Sequence, residues 1–272
     1  MGNLKIGNRI AMLRKKSGYT QEELADKFNI SPQAISKWEN GHTLPETALL
    51  PLLSKLLNSS IDSILMPFDI EIGDLINFGN YQWRVLDIDG NKALIITEHV
   101  IETRAFHSVS DIDNKVTWQY SDMRKYLNGE FYNSFSETEQ AKIAETVVSN
   151  LDNPWYGQTQ YLDTLDKIFL LSYEELVRYF GDSGDLMNRH GVEMGYGLSF
   201  GDAIKDEYNK ARGVLNLEGF NAWWWLRSPG APRDHTENDH VTAGSVDNVI
   251  WLCGDYVCKE DGGVRPALWL NL

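Results

Sequence analysis

Four side chains in one short segment, Gln33, Ala34, Ser36 and Lys37, have the spacing of the outward face of a helix. A glutamine amide can form two hydrogen bonds with the N6 and N7 edge of adenine, and a lysine suits guanine or a phosphate oxygen. We therefore predict that Gln33 reads a base in the major groove of double-stranded DNA, with Ser36 and Lys37 beside it.

The residues before this face predict a first helix that begins after Thr20. Thr20 and Glu23 have the spacing of a capping box, in which each side chain accepts a hydrogen bond from the other residue's backbone N–H. Leu24, Ala25 and Phe28 then recur at helical spacing, so they form one apolar face.

A tight turn joins this helix to the one that carries the outward face. Asn29 suits a left-handed backbone, Ser31 suits the N-cap of the next helix, and Pro32 suits its first position. Ile35 and Trp38 have the spacing of its inward face. The sequence therefore predicts two short helices, the second of which lies across base edges while the first contacts the backbone.

Phosphate contacts are predicted around the same face. Arg14 and Lys15 place positive charge at the end of a helix that precedes Thr20. Gln21 lies at the N-terminus of the helix that begins after Thr20, and Asn40 follows the helix that carries Gln33. The alternative for all of these is a set of solvated side chains on a small helical bundle. The predicted DNA-binding residues are Arg14, Lys15, Gln21, Ser31, Gln33, Ala34, Ser36, Lys37 and Asn40.

Residues 6–65 as a whole resemble the Cro and phage-repressor type of helix-turn-helix domain, the group that contains the xenobiotic-response-element regulators. The matching residues are Ile10, Leu13, Arg14 and Gly18, the runs 20–25, 30–31, 35–36 and 38–41, then Pro45 and the run 61–65. The resemblance implies an all-α, five-helix domain that binds a specific DNA duplex, usually as a homodimer on a two-fold site.

Charge divides the chain into two parts. Residues 1–66 carry 8 Lys or Arg against 6 Asp or Glu, whereas the remainder carries 17 against 33. Because DNA affinity comes largely from neutralised phosphates, the acidic remainder is not expected to touch DNA. We predict a DNA-binding domain over 1–66, a linker over 67–69 and a second domain over 70–272.

Other features indicate a cytoplasmic protein. The N-terminus has no apolar signal segment, and no run approaches the roughly 20 apolar residues of a membrane helix. Two cysteines in 272 residues fit a reduced compartment rather than a disulfide scaffold. We therefore expect a bacterial-type cytosolic protein with no membrane partner.

The second domain has the pattern of an α+β fold, with an antiparallel sheet made from both ends of the domain. Capping boxes or N-cap residues predict helices over 122–128, 136–147 and 172–180, and a further helix is expected over 202–212. Strands are predicted over 74–78, 81–88, 92–101, 167–171, 223–227, 241–243, 246–252, 256–258 and 264–270.

Three segments of this domain carry a second resemblance: residues 167–172, 224–230 and 263–270. They are similar to an uncharacterised domain common in gut Firmicutes and their phages. That domain in turn resembles the C-type-lectin-like fold of formylglycine-generating enzymes and phage variable receptor proteins. The resemblance implies a C-type-lectin-like fold over 70–272 without implying a function.

Several side chains of the second domain invite a binding role, each with a structural alternative. Trp223 and Trp225 should share one strand face, with Trp224 on the other, where they could stack on a sugar or fill the core. Arg227 and Arg265 could hold a ligand or pair with buried carboxylates, and the structural use is favoured.

Two further groups could bind a metal or respond to oxidation. The run 234–240 is rich in Asp, His and Glu but matches no dedicated metal motif, so a solvated loop is favoured over a weak calcium site. Cys253 and Cys258 could form a redox pair across a hairpin, although two reduced cysteines in a sheet are favoured. We predict no cofactor and no resident metal.

Catalytic motifs are not recognisable in the chain. It contains no Gly-rich phosphate loop, no Gly-x-Ser-x-Gly elbow and no Cys-x-x-Cys, and its six histidines form no recognisable acid–base set. We therefore predict a transcriptional regulator of the repressor type, not an enzyme, whose C-terminal domain senses a small molecule or a protein. The alternative is an interaction protein of phage or mobile-element origin, whose lectin-like domain binds a protein or carbohydrate while the DNA-binding part is autoregulatory.

Overall fold

The computed structural model describes residues 2–65, 70–108, 116–151, 153–154, 162–184, 203–230 and 242–272. The chain separates into two compact units, one formed mainly by residues up to 72 and the other mainly by residues 73–87 and 93–271. The first is helical and the second is rich in sheet, so the multidomain fold class predicted from the sequence is confirmed. The linker predicted over 67–69 lies outside the described residues.

Helices build the first unit. They are α1 (Gly2–Lys16), α2 (Gln21–Phe28), α3 (Pro32–Glu39), a 3-10 turn (Thr47–Leu49), α4 (Leu50–Leu56) and α5 (Ile61–Leu65). The Thr20/Glu23 capping box is present at α2, and Asn29 ends that helix with a φ of 59°. Both features were predicted from the sequence, because each depends on contacts between near neighbours in the chain.

One apolar cluster holds these helices together. Its fully or nearly buried members are Ile10, Leu13, Leu24, Ala25, Phe28, Ile35, Trp38, Leu50, Leu53, Leu57 and Ile64. Trp38 contacts Phe28 edge to face, with ring centroids 5.8 Å apart. The residues predicted as the inward faces of α2 and α3 therefore belong to this core.

Two main sheets build the second unit. The first has the strand order β1-β2-β3-β15-β5, so it joins strands from both ends of the domain, as the sequence predicted. Its strands are β1 (Leu75–Phe78), β2 (Tyr81–Asp89), β3 (Lys92–Thr97), β5 (Ile143–Ala144) and β15 (Ala267–Asn271).

The second sheet has the order β4-β14-β11-β12-β13-β8. Its strands are β4 (Glu102–Thr103), β8 (Ala203–Ile204), β11 (Trp224–Pro229), β12 (Thr242–Asp247), β13 (Val249–Tyr256) and β14 (Gly263–Val264). The β11–β14 pair is parallel, and the other pairs of this sheet are antiparallel. Two small ribbons pair β6 (Thr146–Val148) with β7 (Thr164–Asp166) and β9 (Val214–Leu215) with β10 (Asn221–Ala222).

Short helices connect these strands. They are a 3-10 turn (Trp118–Tyr120), α6 (Asp122–Tyr126), a π-helical turn (Leu127–Phe131), α7 (Glu137–Gln140), α8 (Tyr173–Phe180) and α9 (Asn209–Arg212). The predicted Ser172/Glu175 capping box begins α8, which ends at Phe180 as expected. Among the described residues, no helix has the length and apolar character needed to cross a membrane.

The helix predicted over 136–147 is wrong at its C-terminal end. The Ser136/Glu139 capping box is present, but α7 ends at Gln140. The residues that follow pair with other strands instead, since Ile143 lies opposite Leu270 and Val147 opposite Leu165. A capping box determines only where a helix begins, and here long-range strand pairing outweighs local helix propensity.

The strand predicted over 264–270 is two strands in different sheets, β14 and β15, and the strand predicted over 246–252 spans the turn between β12 and β13. Three further predicted elements also differ from the structure. The segment 167–171 is largely buried but forms only one isolated bridge, Phe169 with Ala267. Of the helix predicted over 202–212, only α9 is helical, because Ile204 pairs with Ile250 of β13. The strand predicted over 256–258 is also wrong, since β13 ends at Tyr256 and a turn follows.

Asp206 and Arg212, in the same part of the chain, form a buried ion pair. Arg212 donates two hydrogen bonds to the carboxylate of Asp206, at 2.7 and 2.8 Å, and both side chains are almost fully buried. Burial alone would raise the pKa of Asp206, but the hydrogen bonds from Arg212 and from the Tyr208 backbone N–H outweigh it. The pKa of Asp206 therefore lies below its ordinary value.

This ion pair predicts a pH-dependent contribution to folding stability. Because the pKa of Asp206 is lower in the folded than in the unfolded chain, its stabilisation is present above the unfolded value of about 4. It is lost as the pH falls through the folded value. The variant Asp206→Asn should therefore have a lower free energy of unfolding than wild type at neutral pH. The difference between the two proteins should become smaller at acid pH.

Urea unfolding between about pH 6 and pH 3 tests this prediction. Tryptophan emission is a suitable readout, because eight of the nine tryptophans lie in the second unit. A deficit that is constant over this range would show that the carboxylate of Asp206 is not the titrating group.

Candidate nucleic-acid interface

The recognition face predicted on α3 is accessible. Gln33 and Lys37 are exposed one helical turn apart, and Ala34 and Ser36 are half-buried beside them. Ile35 on the opposite side is completely buried in the core. The backbone of α3 thus presents one polar face to solvent while its other face is anchored by packing.

The two ends of α3 have different side-chain arrangements. Ser31 occupies the N-cap with an extended backbone, but its side chain accepts no hydrogen bond from the helix. At the other end, the Asn40 amide donates to the Ser36 carbonyl oxygen at 2.8 Å and contacts Ser36 Oγ at 3.3 Å. Both Ser31 and Asn40 are exposed, next to the face formed by Gln33 and Lys37.

Arg14 occupies a different place from the one expected for a phosphate contact. Its side chain is buried, and it forms a bidentate ion pair with Glu39, with Nε–Oε1 and Nη2–Oε2 distances of 2.5 and 3.1 Å. It also donates to the Tyr19 carbonyl oxygen at 2.6 Å. Its hydrogen bond with Glu39 raises the pKa of Arg14. The structure therefore places Arg14 between helices rather than on the surface.

Gln21 joins the same network. Its amide Nε2 donates to Glu39 Oε2 at 2.7 Å, and its side chain is half-buried. Arg14 from α1, Gln21 from α2 and Glu39 from α3 thus form one polar cluster, which we call the interhelical network. Charge-assisted bonds of this kind restrict the orientation of the helices that they join.

Glu39 was not among the residues predicted from the sequence, although its position carried a signal. Glu39 lies four residues after Ile35 and one after Trp38, which places it on the inward face of α3. A carboxylate on an apolar face requires a partner, since an unpaired buried charge is costly. The remaining predicted residue, Lys15, is exposed near the end of α1.

The three consecutive tryptophans of the second unit alternate as predicted. Trp223 and Trp225 contact each other with ring centroids 4.7 Å apart, whereas Trp224 contacts Phe180 on the other side. Trp224 and Trp225 are completely buried, and Trp223 is half-buried. Core packing thus accounts for two of the three rings.

The two arginines in the segments 224–230 and 263–270 have different kinds of partner. Arg227 pairs with Glu175, and its Nη2 lies 2.9 Å from Glu175 Oε1. Arg265 instead donates from Nε to the Thr97 carbonyl oxygen at 2.9 Å, and its guanidinium lies 4.9 Å from the centroid of the Trp224 ring. Burial lowers the pKa of Arg265 to about 10. Within the described ranges, the carboxylate partner that the sequence suggested is therefore present for Arg227 and absent for Arg265.

The candidate metal and redox groups are only partly described. The Asp- and His-rich run 234–240 and the side chain of Cys253 lie outside the described residues. Cys258 is exposed with a free thiol. Within the described ranges, no group of three or more His, Cys, Asp or Glu side chains is placed to hold a metal ion.

Known proteins match the two units separately. Residues 10–64 match a helix-turn-helix family. The HTH-type transcriptional regulator ImmR of Bacillus subtilis (strain 168) is 40% identical over 62 residues, which is 23% of this chain and 49% of ImmR. The competence pilus inhibition repressor of Acinetobacter baylyi is 34% identical over 88 residues, or 32% of this chain and 76% of that protein.

A solved structure is also similar to part of the chain. The clp gene regulator ClgR from C. glutamicum is 26% identical, with a TM-score of 0.23, and the match covers 24% of this chain and 85% of that one. The chain thus spans about half of the length of ImmR and most of the other two proteins.

The larger match is in the second unit. Residues 90–272 match a domain of unknown function (DUF6273), which is more than half of the chain. The chain therefore belongs to the DUF6273 family, and it carries a helix-turn-helix domain of the Cro and phage-repressor type at its N-terminus.

Proposed function

We propose that the protein is a sequence-specific DNA-binding transcriptional regulator. The observation that carries the proposal is the solvent-facing polar side of α3, with Gln33 and Lys37 exposed and Ile35 and Trp38 anchored in the core. In helix-turn-helix domains such a helix enters the major groove while the helix before it crosses the backbone. ImmR is a transcriptional regulator and the similar protein of Acinetobacter baylyi is a repressor, and both support the same role.

Individual contacts follow from the side-chain chemistry. We assign Gln33 to a base edge, because its amide can both donate to and accept from adenine. Lys37 suits guanine or a phosphate, and Lys15, Ser31 and Asn40 suit the flanking phosphates. Arg14 and Gln21 act as positioning residues, since both are bonded to Glu39 within the first unit.

Two copies of α3 on a two-fold operator would lie one helical turn of DNA apart, about 34–36 Å. We therefore propose a homodimer on double-stranded DNA, in the bacterial cytoplasm. The second unit does not bind DNA, because its strong excess of Asp and Glu would repel the phosphates. It senses an effector instead.

Replacing Gln33 with alanine should weaken binding to the preferred operator by about 1–3 kcal/mol and relax specificity at one base position. Because the side chain is exposed, the fold should be unchanged. Selection of bound duplexes from a random pool by the full-length protein and by Gln33→Ala, at near-physiological salt, measures both effects. Equal weakening on every sequence would show that Gln33 contacts only phosphate.

Lys37 tests the electrostatic contribution to DNA binding. Lys37→Ala and Lys55→Ala each remove one exposed lysine from a helix of the first unit, but only Lys37 lies on the recognition helix. Lys37→Ala should reduce operator affinity and the salt dependence of binding, whereas Lys55→Ala should change neither. No enriched duplex with the wild-type protein would contradict the proposed function and favour a partner-binding role.

A further inference from the structure

Strand β1 lies at an open edge of the first sheet. In the order β1-β2-β3-β15-β5 it is bonded to β2 on one side, and the described part of the chain places no strand on the other. The side chains of Leu75 and Asn77 are exposed along this edge, Leu75 to 46%. An edge strand presents backbone N–H and C=O groups that can pair with a strand of another chain.

The hydrogen bonds between β1 and β2 show which backbone groups of β1 face outward. The Val85 N–H donates to the Asp74 carbonyl oxygen at 2.9 Å, so the backbone of Asp74 faces β2. Successive residues of an antiparallel strand direct these groups alternately to the two sides. The N–H and C=O groups of Leu75 and Asn77 therefore face away from β2, whereas those of Ile76 face it.

The residue opposite Asn77 agrees with this alternation. Asn77 lies opposite Gln82, whose carbonyl oxygen accepts from the Glu98 N–H at 2.9 Å. Glu98 follows β3, so the backbone of Gln82 faces β3 and not β1. Among the described residues, no backbone hydrogen bond joins Leu75 or Asn77 to any other segment. Their N–H and C=O groups are thus available to another chain.

Two features limit the length of this open edge. Gly73, with a φ of 95°, and Asp74 form a β-bulge against β2. At the other end, the two-residue turn 79–80 leads into β2. Residues 75–77 are left for regular pairing. The strand contains no charged residue and no proline, which are the residues that commonly protect an edge from pairing.

This edge is complementary to a second copy of itself. If two β1 strands pair in the antiparallel direction about a two-fold axis at Ile76, Leu75 lies opposite Asn77 of the partner subunit. The N–H of each of these residues then meets the C=O of the other. The two-fold axis repeats both bonds, so the four outward N–H groups of the two edges meet the four outward C=O groups.

The side chains fit the same register. Ile76 is half-buried and would lie opposite its own copy, and the two copies of Leu75 would be diagonal neighbours, within reach of each other. Asp74 would lie opposite Phe78 of the partner subunit, so no like charges would face each other. An unrelated peptide would have to match this three-residue edge by its own sequence, whereas a second copy matches it by symmetry.

We propose that β1 is a dimer interface, at which two copies of the chain pair through residues 75–77. The two five-stranded sheets thereby become one continuous sheet. The dimer forms without DNA. That it presents two copies of α3 to one two-fold operator rests on the proposed function, whereas the pairing itself does not.

Leu75→Pro is the central test variant. Proline has no N–H, and the Leu75 N–H faces away from β2, so the change removes a donor from the interface and none from the sheet. Leu217→Pro is the matched control. Leu217 is 62% exposed and is the second residue of a turn in which the Gly219 N–H donates to the Asn216 carbonyl oxygen at 3.0 Å, a position that suits proline.

Sedimentation equilibrium of the full-length protein without DNA, over about a hundredfold range of concentration, measures association. We expect wild type and Leu217→Pro to form dimers of twice the chain mass of 31.0 kDa. Leu75→Pro should associate about tenfold more weakly or less. Circular dichroism verifies that both variants are folded. A monomeric wild type, or a folded Leu75→Pro that associates as strongly as wild type, would overturn the proposal.

A disulfide tests the register without the proline variant. In a Cys253→Ser/Cys258→Ser background, Ile76→Cys places two thiols opposite each other, in a pair whose Cα atoms should be about 4.5 Å apart, within disulfide range. Asn77→Cys is the control, since its two copies should be about 7–8 Å apart, which is too far. Mild oxidation should crosslink the Ile76→Cys protein into a dimer and leave the Asn77→Cys protein uncrosslinked. Any other pattern would overturn the proposed pairing.

The contribution of the dimer to DNA recognition is measured separately. Leu75→Pro should bind a two-fold operator about tenfold more weakly than wild type, and a single half-site equally well. Equal binding of the two-fold operator by both proteins would overturn the link between β1 and DNA recognition. Failure of wild type to bind any duplex would contradict the proposed function, and the sedimentation and crosslinking results would still decide the dimer.

Discussion

Replacing Trp38 with alanine is expected to lower the unfolding free energy of the first unit by about 3–5 kcal/mol. The Trp38 side chain is only 6% exposed and contacts Phe28 edge to face. Its removal would leave a cavity beneath α3, and a small helical domain has little stability in reserve. Much of the first unit should therefore unfold, and operator binding should be lost with it.

Hydrogen exchange of the backbone N–H groups of α2 and α3 in the full-length protein measures the stability of the first unit separately from that of the second unit. Trp38→Phe serves as the conservative variant, because it keeps an aromatic ring against Phe28 and should recover much of the protection. Trp223→Ala removes a half-buried tryptophan from the other unit and should leave exchange in α2 and α3 unchanged. Unchanged protection in Trp38→Ala would show that the ring does not support the core.

The second large effect is expected at Glu39. Changing it to glutamine keeps the shape of the side chain but removes the charge that balances Arg14, and both residues are only 7% exposed. Breaking a buried pair by removing one partner typically costs about 3–5 kcal/mol, because the other charge stays buried without compensation. Gln21 would also lose its carboxylate acceptor.

The control is Glu46→Gln, an exposed acidic residue of the same unit, which should change stability by no more than about 0.5 kcal/mol. The double variant Arg14→Met/Glu39→Leu replaces the pair with apolar side chains and should recover much of the loss. Urea unfolding followed by helical circular dichroism compares all four proteins. Equal midpoints for Glu39→Gln and wild type would show that the pair contributes nothing.

The Glu39 and Gln33 variants also separate positioning from recognition. Loss of Glu39 should weaken binding to all duplexes alike, because the interhelical network orients the whole of α3. Loss of Gln33 should alter the preferred sequence, since its side chain is exposed and unused by the fold. A change of base preference in Glu39→Gln would contradict this division.

The local features of the chain were predictable from the sequence alone. The capping boxes at Thr20/Glu23 and Ser172/Glu175 and the left-handed Asn29 depend on residues within one turn of each other. The inward positions of Ile35 and Trp38 follow from helical periodicity in the same way. The helix-turn-helix unit was therefore recognisable, because most of what defines it is short-range.

The tertiary structure decided the features that join distant segments. The helix after Ser136 ends early because its continuation pairs with strands more than a dozen residues away, and such pairing leaves no local mark in the sequence. Arg14 carries the charge expected of a phosphate contact, but its partner Glu39 lies 25 residues further along and holds it inside the unit. Burial depends on which surfaces pack together, and periodicity alone does not specify this.

The second domain shows the same division. Arg227 lies in the segment 224–230, which the sequence singled out, but its partner Glu175 is 52 residues away along the chain. The sequence determined the charge of the second domain, the start of α8 and the alternation of its tryptophans. Only the fold determined which carboxylate meets Arg227 and that Arg265 bonds to a backbone carbonyl oxygen, because this depends on the complete set of neighbours around each side chain.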